Sequence, residues 1–177
     1  MVKRIGITAT LLTVALLMSA APAWAAVTTT FSPANAPTGT HLQTGTIGCT
    51  VDAAGLVTCS AYELAGVGNA DATATLNATY SATVQCRNHG GQIVEVKSQT
   101  KTSPTTTGRL RPKNGRLDVP SLQSGPVPTD AAFEANATCP NGNWTKETLD
   151  STITLSSFTY TLMFTGFAGP YITITGP

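Results

Sequence analysis

The segment ATATLNATYSATVQC, Ala72 to Cys86, constrains the fold more than any other part of this chain. Its even positions are Ala72, Ala74, Leu76, Ala78, Tyr80, Ala82, Val84 and Cys86. Its odd positions are Thr73, Thr75, Asn77, Thr79, Ser81, Thr83 and Gln85. Side chains of a strand point alternately to opposite faces, so this run has one apolar face and one polar face. A helix would scatter the same residues around its circumference. The run exceeds the usual strand length, which predicts a bend or bulge near Asn77.

Shorter segments repeat the pattern. Ile93 to Gln99 places Val94 and Val96 on one face, Arg116 to Ser121 turns Leu117 and Val119 inward, and Tyr171 to Thr175 does the same with Ile172 and Ile174. In TITLSSFTYTLMF the apolar parity changes from odd (Ile153, Leu155) to even (Phe158, Tyr160, Leu162, Phe164). A slip of one residue exchanges the faces of a strand, so a bulge or corner is expected at Ser156-Ser157. No stretch reads as a helix. Threonine, valine and frequent Gly, Pro and Asn punctuation predict an all-β fold, an antiparallel β-sandwich of immunoglobulin-like or jelly-roll-like type. Residues 41–177 form this single domain, and residues 26–40, with Pro33 and Pro37 among small side chains, form a flexible leader.

The first residues, MVKRIGITATLLTVALLMSAAPAWAA, combine Lys3 and Arg4 with an apolar run, Pro22 and the triplet Ala23-Trp24-Ala25. This is the pattern of a secretory signal peptide over residues 1–25, cut between Ala25 and Ala26. The run is short for a bilayer span, no cysteine for a lipid anchor sits at the cut, and no twin-arginine pair is present. Removal leaves 152 of 177 residues, with eight basic against nine acidic side chains once Lys3 and Arg4 are gone. That near-neutrality offers no global field for nucleic acid or a membrane surface. The C-terminal GFAGPYITITGP adds neither a hydrophobic anchor nor a basic tail, so the expectation is a released, monomeric, extracellular protein with no membrane anchor.

Cys49, Cys59, Cys86 and Cys139 are the four cysteines. In an exported chain an even number reads as disulfides. Zinc is disfavoured because no C-x-x-C pair exists and His41 and His89 lie far apart. In CTVDAAGLVTC, a three-residue loop Ala53-Ala54-Gly55 with Gly55 in the left-handed region sets Asp52 opposite Leu56 and Cys49 opposite Cys59. If Asp52 and Leu56 exchange hydrogen bonds, Cys49 and Cys59 form a non-hydrogen-bonded pair, close enough for an S–S bond. Cys86 is then left for Cys139, giving Cys49–Cys59 and Cys86–Cys139.

The signatures CRNHGG (Cys86 to Gly91) and CPNGNW (Cys139 to Trp144) resemble those of a family of small secreted β-proteins of actinomycete bacteria, with paired C-x-N-x-G-G and C-P-N-x-N-W motifs. The resemblance spans about Ala72 to Phe164. It implies export and a disulfide-linked β domain and brings no activity with it. His89 stands where the family pattern has a proline, which implies that this position supports no chemistry.

Candidate sites are few. In QCRNHGGQ, Gln85 to Gln92, His89 sits between a strand-ending cysteine and two glycines that permit a tight turn, and it has no partner histidine or nucleophile at useful spacing. The carboxylates Glu63, Asp71, Asp118, Asp130, Glu134, Glu147 and Asp150 show no spacing that nominates a catalytic pair. The sequons at Asn77, Asn136 and Asn143 follow a bacterial-type signal, and no glycan is expected on them. Trp144 is expected to pack over the Cys86–Cys139 bridge. The turn-rich segment Ser98 to Gly115 and its flank hold Lys101, Arg109, Arg111, Lys113 and Arg116 with no acid among them, which makes them the candidate polyanion-binding residues. No aromatic side chain accompanies them, so base stacking is not offered.

These readings predict a non-enzymatic extracellular binding or surface-interaction module without cofactors. Its partner is an anionic wall polymer or a secreted protein. The alternatives are a protease inhibitor presenting Ser98 to Gly115 and a small extracellular hydrolase.

Overall fold

The computed structural model describes residues 26–149 and 152–177. The signal-peptide reading for residues 1–25, and with it the cut after Ala25, lies outside the described residues, as does Asp150. In chain order the elements are β1 (Thr28–Phe31), a 3-10 turn (Pro33–Asn35), β2 (His41–Gly45), β3 (Cys49–Val51), β4 (Val57–Cys59) and β5 (Tyr62–Ala65). The long β6 (Ala72–Arg87) is followed by β7 (Ile93–Lys101), β8 (Thr105–Thr106), β9 (Arg116–Val119), β10 (Leu122–Gln123) and a short helix α1 (Asp130–Asn136). The chain ends with β11 (Thr145–Thr148), β12 (Thr154–Phe164) and β13 (Ile172–Gly176).

The fold is all-β and antiparallel, a sandwich stapled by two disulfides. One layer is a seven-stranded sheet in the order β1-β13-β12-β6. β11 continues along the β12 edge of β6, while β7 and β8 follow each other along its opposite edge. Two three-stranded sheets, β10-β4-β3 and β2-β5-β9, form the facing layer. Polar contacts tie the layers together: the hydroxyls of Tyr62 and Tyr160 lie 2.8 Å apart, and the Tyr80 hydroxyl donates to the Gly55 carbonyl at 2.9 Å.

Every even residue of Ala72 to Cys86 is buried, as the alternation predicts, and Thr83 is the one odd residue also removed from water. Large side chains of β12 sit opposite alanines of β6, in the pairs Phe158–Ala78, Leu162–Ala74 and Phe164–Ala72. This alternation of large and small lets both strands fill one apolar layer without overpacking. Leu64, Leu117, Val119 and Val57 close the core from the facing sheets. Leu117, Val119, Ile172 and Ile174 are all buried, as their alternation predicts.

Several expectations require correction. Residues 26–40 contain no free leader. β1 pairs with β13 from Thr28↔Thr175 to Phe31↔Ile172, and the Asn35 side chain donates to the Pro170 carbonyl at 3.2 Å. The unpaired edge of β13 accepts a strand of β-branched threonines, a pairing that no local pattern announces. A helix exists after all. α1 is seven residues long, starts after Thr129 and buries only Phe133, too short for a helical period to show. The irregularity assigned to Asn77 is absent from β6. It lies on the partner strand β12, where Leu155 pairs with Tyr80 and Ser157 with Thr79, leaving Ser156 as the extra residue. That is the position the parity change marks.

Both disulfides have the expected pairing, Cys49–Cys59 from the hairpin register and Cys86–Cys139 by elimination. Cys49 and Cys59 are directly opposite with Cα atoms 3.9 Å apart, and Cys86 joins Cys139 with Cα atoms 5.8 Å apart. Gly55 has φ 84°, as the three-residue loop requires. One detail differs. Asp52 N–H donates to the Leu56 carbonyl at 3.0 Å, but Leu56 N–H donates to Asp52 Oδ1 at 2.9 Å rather than to the backbone.

Candidate functional site

The five basic residues do not form one patch. Arg109 is ion-paired with Asp71, and Arg116 Nη1 lies 2.8 Å from Glu63 Oε1. Neither acid is near its arginine in sequence. The Ala72↔Leu110 bridge brings Asp71 to Arg109, and the β5–β9 register places Arg116 opposite Ala65, close to Glu63. Lys101 pairs with Thr79 on β6, whereas Leu110 bridges to Ala72. Seven residues of strand between those contacts set Lys101 about 23 Å from Arg109. Arg111 and Lys113 are exposed near a tight turn in which Asn114 and Gly115 have φ 53° and 74°. The segment Ser98 to Gly115 is also pinned to β6 at Thr105, Thr106 and Leu110.

QCRNHGGQ is a hairpin corner. Asn88 N–H donates to the Gln92 carbonyl at 3.0 Å, the Asn88 carboxamide oxygen accepts from Gln92 N–H at 2.8 Å, and Gly91 has φ 79°. His89 is exposed at its tip. The carboxylates are dispersed. Glu134 accepts from Thr148 N–H at 3.0 Å, Glu147 faces Gln85, and Glu63 faces Asp118 across β5–β9. Among the described residues no three of His, Cys, Asp and Glu gather in a way that could hold a metal ion.

Trp144 is half-buried and lies outside the core. The segment that follows it joins the sheet as β11, with Thr145 opposite Arg87. The indole borders a shallow depression of about 380 Å³ with Ala137, Cys139 and Lys146. It flanks the disulfide without sealing it.

A different place gathers unpaired polar groups. The outward face of the large sheet carries the odd residues of β6, and at one point it forms a cleft of about 470 Å³. Asn77 and Thr79 form the floor, Gln99 and Lys101 of β7 one wall, and Ser156, Ser157 and Thr159 of β12 the other. Two backbone events create it. β12 bulges at Ser156, and β7 parts from β6 after Lys101, with β8 resuming only at Leu76↔Thr105. Short side chains on the floor and longer ones on one wall make the surface concave.

Within the described residues, none of these seven polar side chains has a hydrogen-bonding partner. Their neighbours do: Ser81 Oγ lies 3.3 Å from Thr154 Oγ1, and Lys97 Nζ donates to Thr83 Oγ1 at 2.6 Å. Every buried side-chain nitrogen and oxygen among the described residues is satisfied, so the unpaired groups of the cleft face solvent. Of the residues proposed from the sequence, only Lys101 belongs to this site. The signal that could have located it was the parity break at Ser156-Ser157, because a bulge re-aims side chains.

Folding alters the titration of the buried phenols of Tyr62 and Tyr160. Burial drives both upward from the ordinary tyrosine value, and for Tyr62 the neighbouring Tyr160 adds to the effect. Their hydroxyls meet between the layers and act as a structural tie.

No protein-family model, curated protein or solved structure matches this chain. The resemblance carried by CRNHGG and CPNGNW therefore stands on those two motifs alone.

Proposed function

We propose that this chain is an exported, non-enzymatic binding module and that the cleft on the outward face of the large sheet receives its ligand. The observation that carries this reading is the group of seven unpaired polar side chains in one concave site, held by three strands of a single sheet. A rigid sheet positions such groups more accurately than a loop does, which lowers the entropy lost on binding. Two disulfides fit an oxidising extracellular compartment, and among the described residues no helix is long and apolar enough to cross a membrane. The alternative is a protease inhibitor presenting Ser98 to Gly115, a segment anchored to β6 at Thr105, Thr106 and Leu110.

Isotope-labelled protein titrated with soluble wall polysaccharides and with secreted proteins tests this. Amide shifts clustered at Asn77, Thr79, Gln99 and Thr159 are the expected result. Shifts confined to Arg111 and Lys113 would move the site to the basic turn and overturn the assignment.

A further inference from the structure

We infer that the cleft binds an acidic saccharide, with Lys101 as the anchor for a single sugar carboxylate. The inference rests on the binding-module reading above and adds the ligand chemistry. The hydroxyls of Thr79, Ser156, Ser157 and Thr159 can each donate and accept, and the carboxamides of Asn77 and Gln99 present both functions on one planar group. A polyhydroxylated ligand, which also donates and accepts at every hydroxyl, is the chemistry that complements this set. Phe158 is the only aromatic residue of the lining, and its side chain is buried in the core. Stacking on a sugar ring is thus not offered, and recognition falls to hydrogen bonds and charge.

The charge is specific. Lys101 is the only ionisable residue of the lining, it is exposed, and it has no carboxylate partner among the described residues. Other cations of the sheet are engaged: Lys97 donates to Thr83, Arg109 pairs with Asp71, and Lys146 donates to the Glu134 carbonyl. One uncompensated ammonium beside neutral groups balances one negative charge. A phosphomonoester carries up to two charges, and phosphate mono- and diesters alike favour bidentate arginine, which the cleft lacks. A hexuronate offers a single carboxylate on a ring of hydroxyls, and it fits.

The decisive experiment compares three soluble oligomers by calorimetry and amide-shift mapping: an oligo-hexuronate, its methyl ester, and a glycerol-phosphate oligomer. The acid should bind at least about tenfold tighter than the ester, the size of one charge-assisted hydrogen bond. Lys101→Gln should remove that preference, while Lys113→Gln, outside the cleft, should preserve it. Equal binding of acid and ester with shifts at Asn77 and Gln99 would overturn the acidic-sugar inference and leave the cleft as the binding site. Tighter, Lys101-dependent binding of the phosphate oligomer would also overturn the assignment to a carboxylate. If no oligomer shifts the cleft amides, the acidic-saccharide inference fails, and the reading beneath it fails with it only where secreted proteins leave those amides unshifted too.

Discussion

The two faces of β6 and β12 share one backbone and have opposite roles. Inward, Leu76, Tyr80, Phe158, Tyr160, Leu162 and Phe164 are almost wholly removed from water. Outward, Thr73, Thr75, Asn77, Thr79, Thr159 and Thr161 remain in contact with it. The inner face is decided by volume, since each large side chain needs a small or complementary neighbour across the strand. The outer face is decided by hydrogen-bonding capacity, since its groups lose nothing by staying hydrated. Stability therefore concentrates on one side of a sheet only one residue thick, and the other side is free to carry a site.

Substitutions that break this asymmetry should rank by face. The largest effect is expected at Phe158, whose truncation to alanine opens a cavity beside Ala78. Denaturant unfolding should register a loss of about 3–5 kcal/mol. The bridges come next. Replacing Cys86 and Cys139 by alanine frees a loop of sequence separation 53 and should cost about 4 kcal/mol in the chain-entropy account. The Cys49–Cys59 pair, with separation 10, should cost about 2.7 kcal/mol. Equal losses in the two double variants would show that residual structure in the unfolded chain outweighs loop length.

The tyrosine tie sharpens the comparison through pH. Tyr62→Phe leaves the buried Tyr160 hydroxyl without its 2.8 Å partner and should cost about 1–3 kcal/mol at neutral pH. Burial raises both folded-state pKa values above the ordinary 10.0, so their contribution is fully present below pH 10. It declines at higher pH, because the unfolded phenols ionise before the folded ones. Urea midpoints measured between pH 8 and pH 11 should be flat and then fall, with a shallower fall in Tyr62→Phe. Trp144, half-buried at the rim of the sheet, should lose only about 1–2 kcal/mol on truncation, less than a core aromatic. Its native emission should be intermediate between buried and exposed types. The smallest change is expected on the outer face, where Thr161→Ala should alter stability by no more than about 0.5 kcal/mol. A loss there comparable to Phe158→Ala would mean that this face is covered in the folded protein.

Elements whose cause is local were legible in the amino-acid order. The alternation of β6, the inward residues of β9 and β13, the bulge at Ser156 and the Cys49–Cys59 register follow from side-chain period and turn length, and no distant residue is needed to derive them. Elements whose cause is a partner were not. β1 exists because β13 presents an open edge, α1 because Phe133 finds a hole in the core, and β11 because β6 has room beyond the end of β12. The basic residues show the same limit. Read along the chain they form a cluster, yet the fold hands Arg109 to Asp71 and Arg116 to Glu63 and leaves Lys101 alone among hydroxyls and carboxamides. By itself the sequence determined which side of each long strand faces water and that Cys49 meets Cys59, because both depend on a period of two, and elimination then left Cys86 for Cys139. The tertiary structure alone decided which charges stay uncompensated and where the surface turns concave, because those depend on side chains brought together from strands distant in sequence.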